Sequence, residues 1–146
     1  MRKLNEVAKI YRISQFTKIA RPLIVSRVSA GFPSPAEDYI EGRIDLNREL
    51  IKHPISTFYI RVTGDSMRNI GIFPNTLLIV DCALETTDGH IVIARLGDEL
   101  CVKRLSIAND GGIWLLPENE CYAPIEITEE MDFEIWGRVI YSIQPH

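Results

Sequence analysis

The chain has little histidine, little cysteine and no long apolar run, and each shortage removes a class of function. Its three histidines (His53, His90, His146) and three cysteines (Cys82, Cys101, Cys121) are scattered over 146 residues, with no CxxC pair and no histidine at ligand spacing from a cysteine. A disulfide framework needs an even set of cysteines and a structural zinc site needs clustered ligands, so no metal and no other cofactor is expected. The thiols are expected to be reduced and buried. No run of 18 apolar residues could form a membrane-spanning helix. The N-terminal MRKLNEVAKIYRISQFTKIARPLIVSRVSAG lacks the continuous apolar core of a secretory signal, so a cytoplasmic protein is expected.

Acidic residues are nearly absent from the first thirty positions. Glu6 stands alone there against seven Lys or Arg, whereas residues 31–146 carry nineteen acids against nine bases, a local balance of −10 within a net charge of −4. The chain therefore divides into a basic arm, 1–30, and an acidic body, 31–146. Leu4, Val7 and Ala8 are spaced for a short helical stripe in the arm, but thirty residues cannot bury the core of a DNA-reading domain. Direct DNA binding is not expected. At SAGFPSPAEDY a glycine and two prolines interrupt any helix or central strand, marking an extended linker.

The body reads as mostly β. A short helix is expected near 45–52, where Ile44, Leu46, Leu50 and Ile51 precede Pro54 and Asp45 can cap the N-terminus. Six β-branched and aromatic runs follow, at 57–64, 76–82, 90–97, 99–106, 112–118 and 133–143, bounded by Gly, Asp, Asn and Pro. Asp88-Gly89 and Leu96-Gly97-Asp98 mark tight turns, the second joining a hairpin. These elements imply a compact folded sheet or partly open barrel carrying one short helix and an extended N-terminal arm.

Two residues raise a chemical question. Ser66 lies in the polar corner Gly64-Asp65-Ser66 at the end of the first of these strands. A serine hydroxyl attacks only when a base removes its proton, and no histidine is well placed to do so. GDSM also departs from the G-x-S-x-G elbow of the α/β-hydrolases. The other available base is a lysine in an apolar setting, because desolvation disfavours the ammonium form. In ELCVKRL, strand alternation places Lys103 on one face with Cys101 and Leu105, and Arg104 on the other. A guanidinium stays protonated and cannot serve as the base. Spacing alone does not separate these roles from those of a turn serine and a solvated lysine.

The segments GFPSPAEDYIEGRIDLNRELIKHP, GDSM, LLIVD, GHIVIA and VKRL, in this order, resemble the LexA-like self-cleaving serine proteases (peptidase S24 type), and within them the UmuD branch. The likeness runs from about Ala30 to Tyr141. It implies a LexA C-terminal-like fold, Ser66 as nucleophile, Lys103 as general base, and Ala30-Gly31 as the scissile bond. It also implies backbone N–H groups near Asp65 and Ser66 as oxyanion donors. The implied biology is cleavage on contact with a RecA-ssDNA filament after DNA damage. The shortened homodimer would then serve a UmuC-like Y-family DNA polymerase in translesion synthesis. Pro74-Asn75-Thr76 and His90 depart from the acidic residues usual at those places in the family, which bears on rate and pH dependence.

Small Ala30 and Gly31 suit a tight site, the alternation of Val28 and Ala30 suits an extended substrate, and Pro33 and Pro35 keep the chain extended past the bond. Two other readings remain: a LexA-like repressor fragment, and a β interaction module needing neither Ser66 nor Lys103. Ile135, Trp136 and Ile140 are candidates for a dimer surface or for ordinary core.

Overall fold

A computed structural model of the chain describes residues 7–12, 20–24 and 40–146. It divides into two compact units, one of residues 14–52 and one of residues 1–13 with 53–146. In the smaller unit β2 (Ala20–Ile24) pairs antiparallel with β3 (Ile40–Asp45), and β3 leads into α1 (Leu46–Leu50). Asp45 caps this helix as expected, its side chain accepting from the Asn47 N–H at 3.0 Å. The SAGFPSPAEDY linker and the Ala30-Gly31 bond lie outside the described residues.

The larger unit is an open, wholly antiparallel sheet in the order β1-β4-β5-β10-β6-β7-β8-β9. Its strands are β1 (Val7–Arg12), β4 (Thr57–Val62), β5 (Leu77–Asp81), β6 (Ile91–Leu96), β7 (Glu99–Ile107), β8 (Ile113–Leu116), β9 (Ile125–Ile127) and β10 (Phe133–Ile143). All six strands expected in the body are present, with ends shifted by one to two residues at most positions. The mostly β class is confirmed, and the sheet is not closed.

Four strands were not expected: β1, β2, β3 and β9. β1 corrects the helical stripe: Val7 and Ala8 open a strand that pairs with β4. Tertiary pairing overrides helical spacing here, since β4 offers a row of backbone partners that a six-residue helix in water would lack. β3 occupies IEGRID, running up to the Asp45 cap of the expected helix, and β9 is only three residues long. A second correction concerns the thiols: all three are free, but only Cys101 is buried, with Cys82 half-buried and Cys121 exposed.

Both faces of β6 and β7 are covered, so the period-two alternation feeds two cores. Ile93 and Val102 join Ile60, Val62, Met67, Ile72, Leu78 and Val80. Val92, Ala94, Cys101 and Leu105 join Leu115 and Ile125. Trp136 packs on the first cluster and lies 5.0 Å from the Phe58 ring centroid, while Ile135 packs on the second. Both residues are therefore half-buried core.

β10 runs between β5 and β6 and carries an irregularity on each side, near Trp136 and near Ile140. Gly137 makes that path possible. A Cβ there would stand 2.6 Å from Val80 Cγ1 and 3.1 Å from Cys82 Sγ. Gly137→Ala is expected to destabilise the fold by about 1–3 kcal/mol, read as a lower urea midpoint with unchanged slope.

At the end of β5, Asp81 is 1% exposed and gathers three donors. They are His53 Nδ1 at 2.5 Å, Ser56 Oγ at 2.9 Å and the Ala83 N–H at 2.9 Å. Burial pushes its carboxyl up, but these hydrogen bonds and the His53 charge outweigh it and hold the group below the ordinary aspartate value. A depressed folded-state value means that stability is present above the unfolded-state value, near 4, and is lost as pH falls through the folded one. Asp81→Asn is expected to cost about 1–3 kcal/mol at neutral pH. The gap to the parent protein should close as pH drops below about 4, as followed by denaturant titration across pH.

Candidate active site

Ser66 stands where the chain leaves β4 and turns before reaching β5. Thr63-Gly64-Asp65 carries the chain off the strand, and a single 3₁₀ turn over Arg68–Ile70 follows, ending at Gly71 with φ 85°. A left-handed φ suits glycine, which has no Cβ to clash. The turn is closed by the Arg68 N–H to Asp65 O (3.2 Å) and the Gly71 N–H to Arg68 O (3.0 Å). Ser66 and Met67 are consequently drawn inward, each 1% exposed, and Met67 is part of the core.

Lys103 reaches the same point from β7, an inner strand between β6 and β8. It pairs with Val92 of β6 and is 3% exposed. Its Nζ lies 2.7 Å from Ser66 Oγ, in hydrogen-bond contact, and also donates to Val102 O at 3.2 Å. The two residues singled out in the sequence, 37 positions apart, are thus in direct contact in the interior. In its neutral form an amine so placed can accept the hydroxyl proton; as an ammonium it donates to the oxygen.

The corner is held by a segment whose role nothing in the sequence marked. After β8, residues 117–122 run beside 65–69. The Glu118 N–H donates to Ser66 O at 2.7 Å, and the Asn69 N–H donates to Glu118 O at 2.9 Å. Asn119, buried, donates from Nδ2 to Asp65 O at 2.9 Å, and the Tyr122 hydroxyl donates to Asp65 Oδ1 at 2.5 Å. These partners are more than fifty residues from Asp65 in sequence, beyond the reach of local pattern. A cleft of about 380 Å³ opens over this segment, lined in part by Asn69, Leu116, Glu118, Tyr122 and Pro124.

The charges around the site are mostly committed. Glu118 pairs with Arg104 Nε at 2.7 Å, which accounts for the arginine on the face away from Lys103. Its own backbone N–H, the Asn69 amide and the Arg68 charge hold the Glu120 carboxyl below the ordinary range. Asp65 and Ser66, named as oxyanion donors, lie at the turn, and among the described residues no backbone hydrogen bond from either N–H is found.

The two departures from family pattern have structural work. Asn75 sits at φ 73°, and its N–H donates to Val62 O at 2.8 Å. Buried Thr76 accepts from the Phe73 N–H at 3.0 Å. His90 Nδ1 accepts from the Thr87 N–H at 3.0 Å, closing the turn before β6. Both are turn-forming residues in this chain.

The profile of the Peptidase S24-like family matches residues 22–140. The chain belongs to that family. It is 44% identical over 118 residues to Protein SamA of Salmonella typhimurium, covering 81% of each chain. It is 38% identical over 146 residues, its whole length, to the LexA repressor of Xylella fastidiosa, spanning 68% of that protein. Identity to Protein MucA of Escherichia coli is 36% over 126 residues, or 86% of this chain and 85% of that one. The resemblance drawn from the motifs is confirmed, and membership makes the protein a serine peptidase of the self-cleaving type.

Burial of the Ser66–Lys103 contact has an energetic consequence. Ser66→Ala removes one hydrogen-bond partner from a buried amine and is expected to lower stability by about 1–3 kcal/mol. Ser66→Ala with Lys103→Met removes the amine as well and should recover most of that loss. Thermal unfolding of the two variants beside the parent protein checks the order.

Proposed function

We propose that Ser66 and Lys103 form a Ser-Lys dyad that cuts the chain's own Ala30-Gly31 bond. The observation that carries this reading is the 2.7 Å contact between Lys103 Nζ and Ser66 Oγ in the interior. Lys103, as the neutral amine, takes the Ser66 proton while Oγ attacks the Ala30 carbonyl carbon. The resulting oxyanion is held by backbone N–H groups at Asp65 and Ser66. The Lys103 ammonium then protonates the Gly31 nitrogen as the peptide bond breaks. Water, deprotonated by Lys103, releases Ala30 from the ester and regenerates the serine. Because the substrate is tethered to the enzyme, its effective concentration is high and a modest dyad suffices.

The products are the basic arm, 1–30, and the body, 31–146. By its likeness to the UmuD branch, the cut is triggered by a RecA-ssDNA filament in the SOS response to DNA damage. The shortened homodimer then acts in the cytoplasm as accessory subunit of a UmuC-like Y-family polymerase in translesion synthesis. The match to a LexA repressor along the whole chain supports a second reading, in which this body belongs to a repressor inactivated by the same cut. Among the described residues no helix is long and apolar enough to cross a membrane.

Intact mass followed over time, at pH 7 and about pH 10, tests the dyad. A base that works only when deprotonated predicts faster cleavage at the higher pH, with a new N-terminus at Gly31. Ser66→Ala should abolish the fragment, and Lys103→Ala should slow its formation by about 10²–10⁴-fold. A fragment that persists in Ser66→Ala would sink the proposal.

A further inference from the structure

Three features outside the Ser66–Lys103 pair meet at one side chain. The Tyr122 hydroxyl donates to Asp65 Oδ1 at 2.5 Å, and the face of its ring lies 5.9 Å from Lys103 Nζ, measured to the centroid. The backbone of Tyr122 is itself fixed, its N–H donating to Asn119 O at 3.1 Å. Asn119 in turn holds the Asp65 carbonyl. One aromatic residue therefore touches the neighbour of one reacting group and stands over the other.

We propose that Tyr122 is a positioning residue for the Ser66–Lys103 pair. Its hydroxyl fixes the corner that aims Ser66, and its ring stabilises the charge Lys103 acquires on taking the serine proton. The inference rests on the reading of Ser66 and Lys103 as the reacting pair.

Asp65 directly precedes Ser66, so rotation of the Asp65 carboxylate and backbone displaces the serine oxygen. A hydrogen bond to a carboxylate is short and roughly twice as strong as a neutral one, and a misplacement of about 1 Å at a reacting atom can cost about 10²-fold in rate. The ring contributes differently. A cation within about 6 Å of an aromatic face is attracted by the ring quadrupole. That attraction grows as Lys103 becomes charged, so it favours the state after proton transfer over the state before it. Phenylalanine at 122 keeps the ring and loses the hydroxyl, and leucine loses both, which separates the two contributions.

The test uses the full chain, with two readouts at a temperature where circular dichroism shows every variant folded. One is the self-cleavage rate by intact mass, and the other is the rate of Ser66 phosphonylation by a small phosphonofluoridate. Tyr122→Phe is expected to be about tenfold slower in both, and Tyr122→Leu about a hundredfold slower in cleavage. Asp65→Asn, which keeps an accepting oxygen but loses the charge, should fall between the parent protein and Asp65→Ala. Asp65→Ala should match Tyr122→Phe, and the two together should be no slower than the slower single variant. A merely structural tyrosine would lower the melting temperature and leave the rates of the folded variants unchanged. Parent-like rates for Tyr122→Phe in both readouts, or a double variant in which the two losses multiply, would overturn the positioning role alone. If the parent protein neither cuts itself nor takes the label at Ser66, the Ser-Lys reading falls and this role falls with it.

Discussion

An amine placed in a protein interior must find a hydrogen-bond partner, and the contact between Lys103 Nζ and Ser66 Oγ meets that demand. Much of the surrounding architecture serves to keep the two atoms together and away from water. β7, flanked by β6 and β8, holds the lysine almost wholly out of solvent. The 3₁₀ turn after β4 brings the serine inward and anchors it through Met67 in the core.

The site also depends on segments that do not belong to it by sequence. Residues 117–122 lie along the 65–69 turn through backbone and side-chain hydrogen bonds, so the end of β8 fixes the shape of the corner after β4. This is long-range support for a local feature. It gives rigidity to a turn whose own bonds, at 3.0 to 3.2 Å, would leave it freer to move.

Much of the fold was legible because β-branched runs and turn residues act locally. Asp88-Gly89 and Gly97 fell where tight turns form, and Asp45 capped the helix it preceded. The two residues of the candidate site were legible for another reason: family motifs recur in a fixed order even where spacing alone says little. What escaped was whatever depends on distant partners. β1 is a strand because β4 has an open edge, β9 because β8 does, and Asn119 and Tyr122 matter because the chain returns to Asp65. Cys121 was expected inside with the other thiols, yet it sits on the exposed side of the turn that presents Asn119 and Tyr122, its N–H bound to Asn119 Oδ1.

The pairing of β1 with β4 separates two events that cleavage might be thought to merge. Hydrolysis at Ala30-Gly31 would end the covalent link between the arm and the body, but β1 would remain laced to the sheet edge by backbone hydrogen bonds from Val7 to Arg12. The severed arm would then be a non-covalent ligand of its own former domain. Its departure would follow an off-rate and an affinity, and would leave a bare strand edge on β4 with unpaired donors and acceptors. Cutting and shedding would thus be separate steps on separate clocks, the first chemical and the second a matter of dissociation.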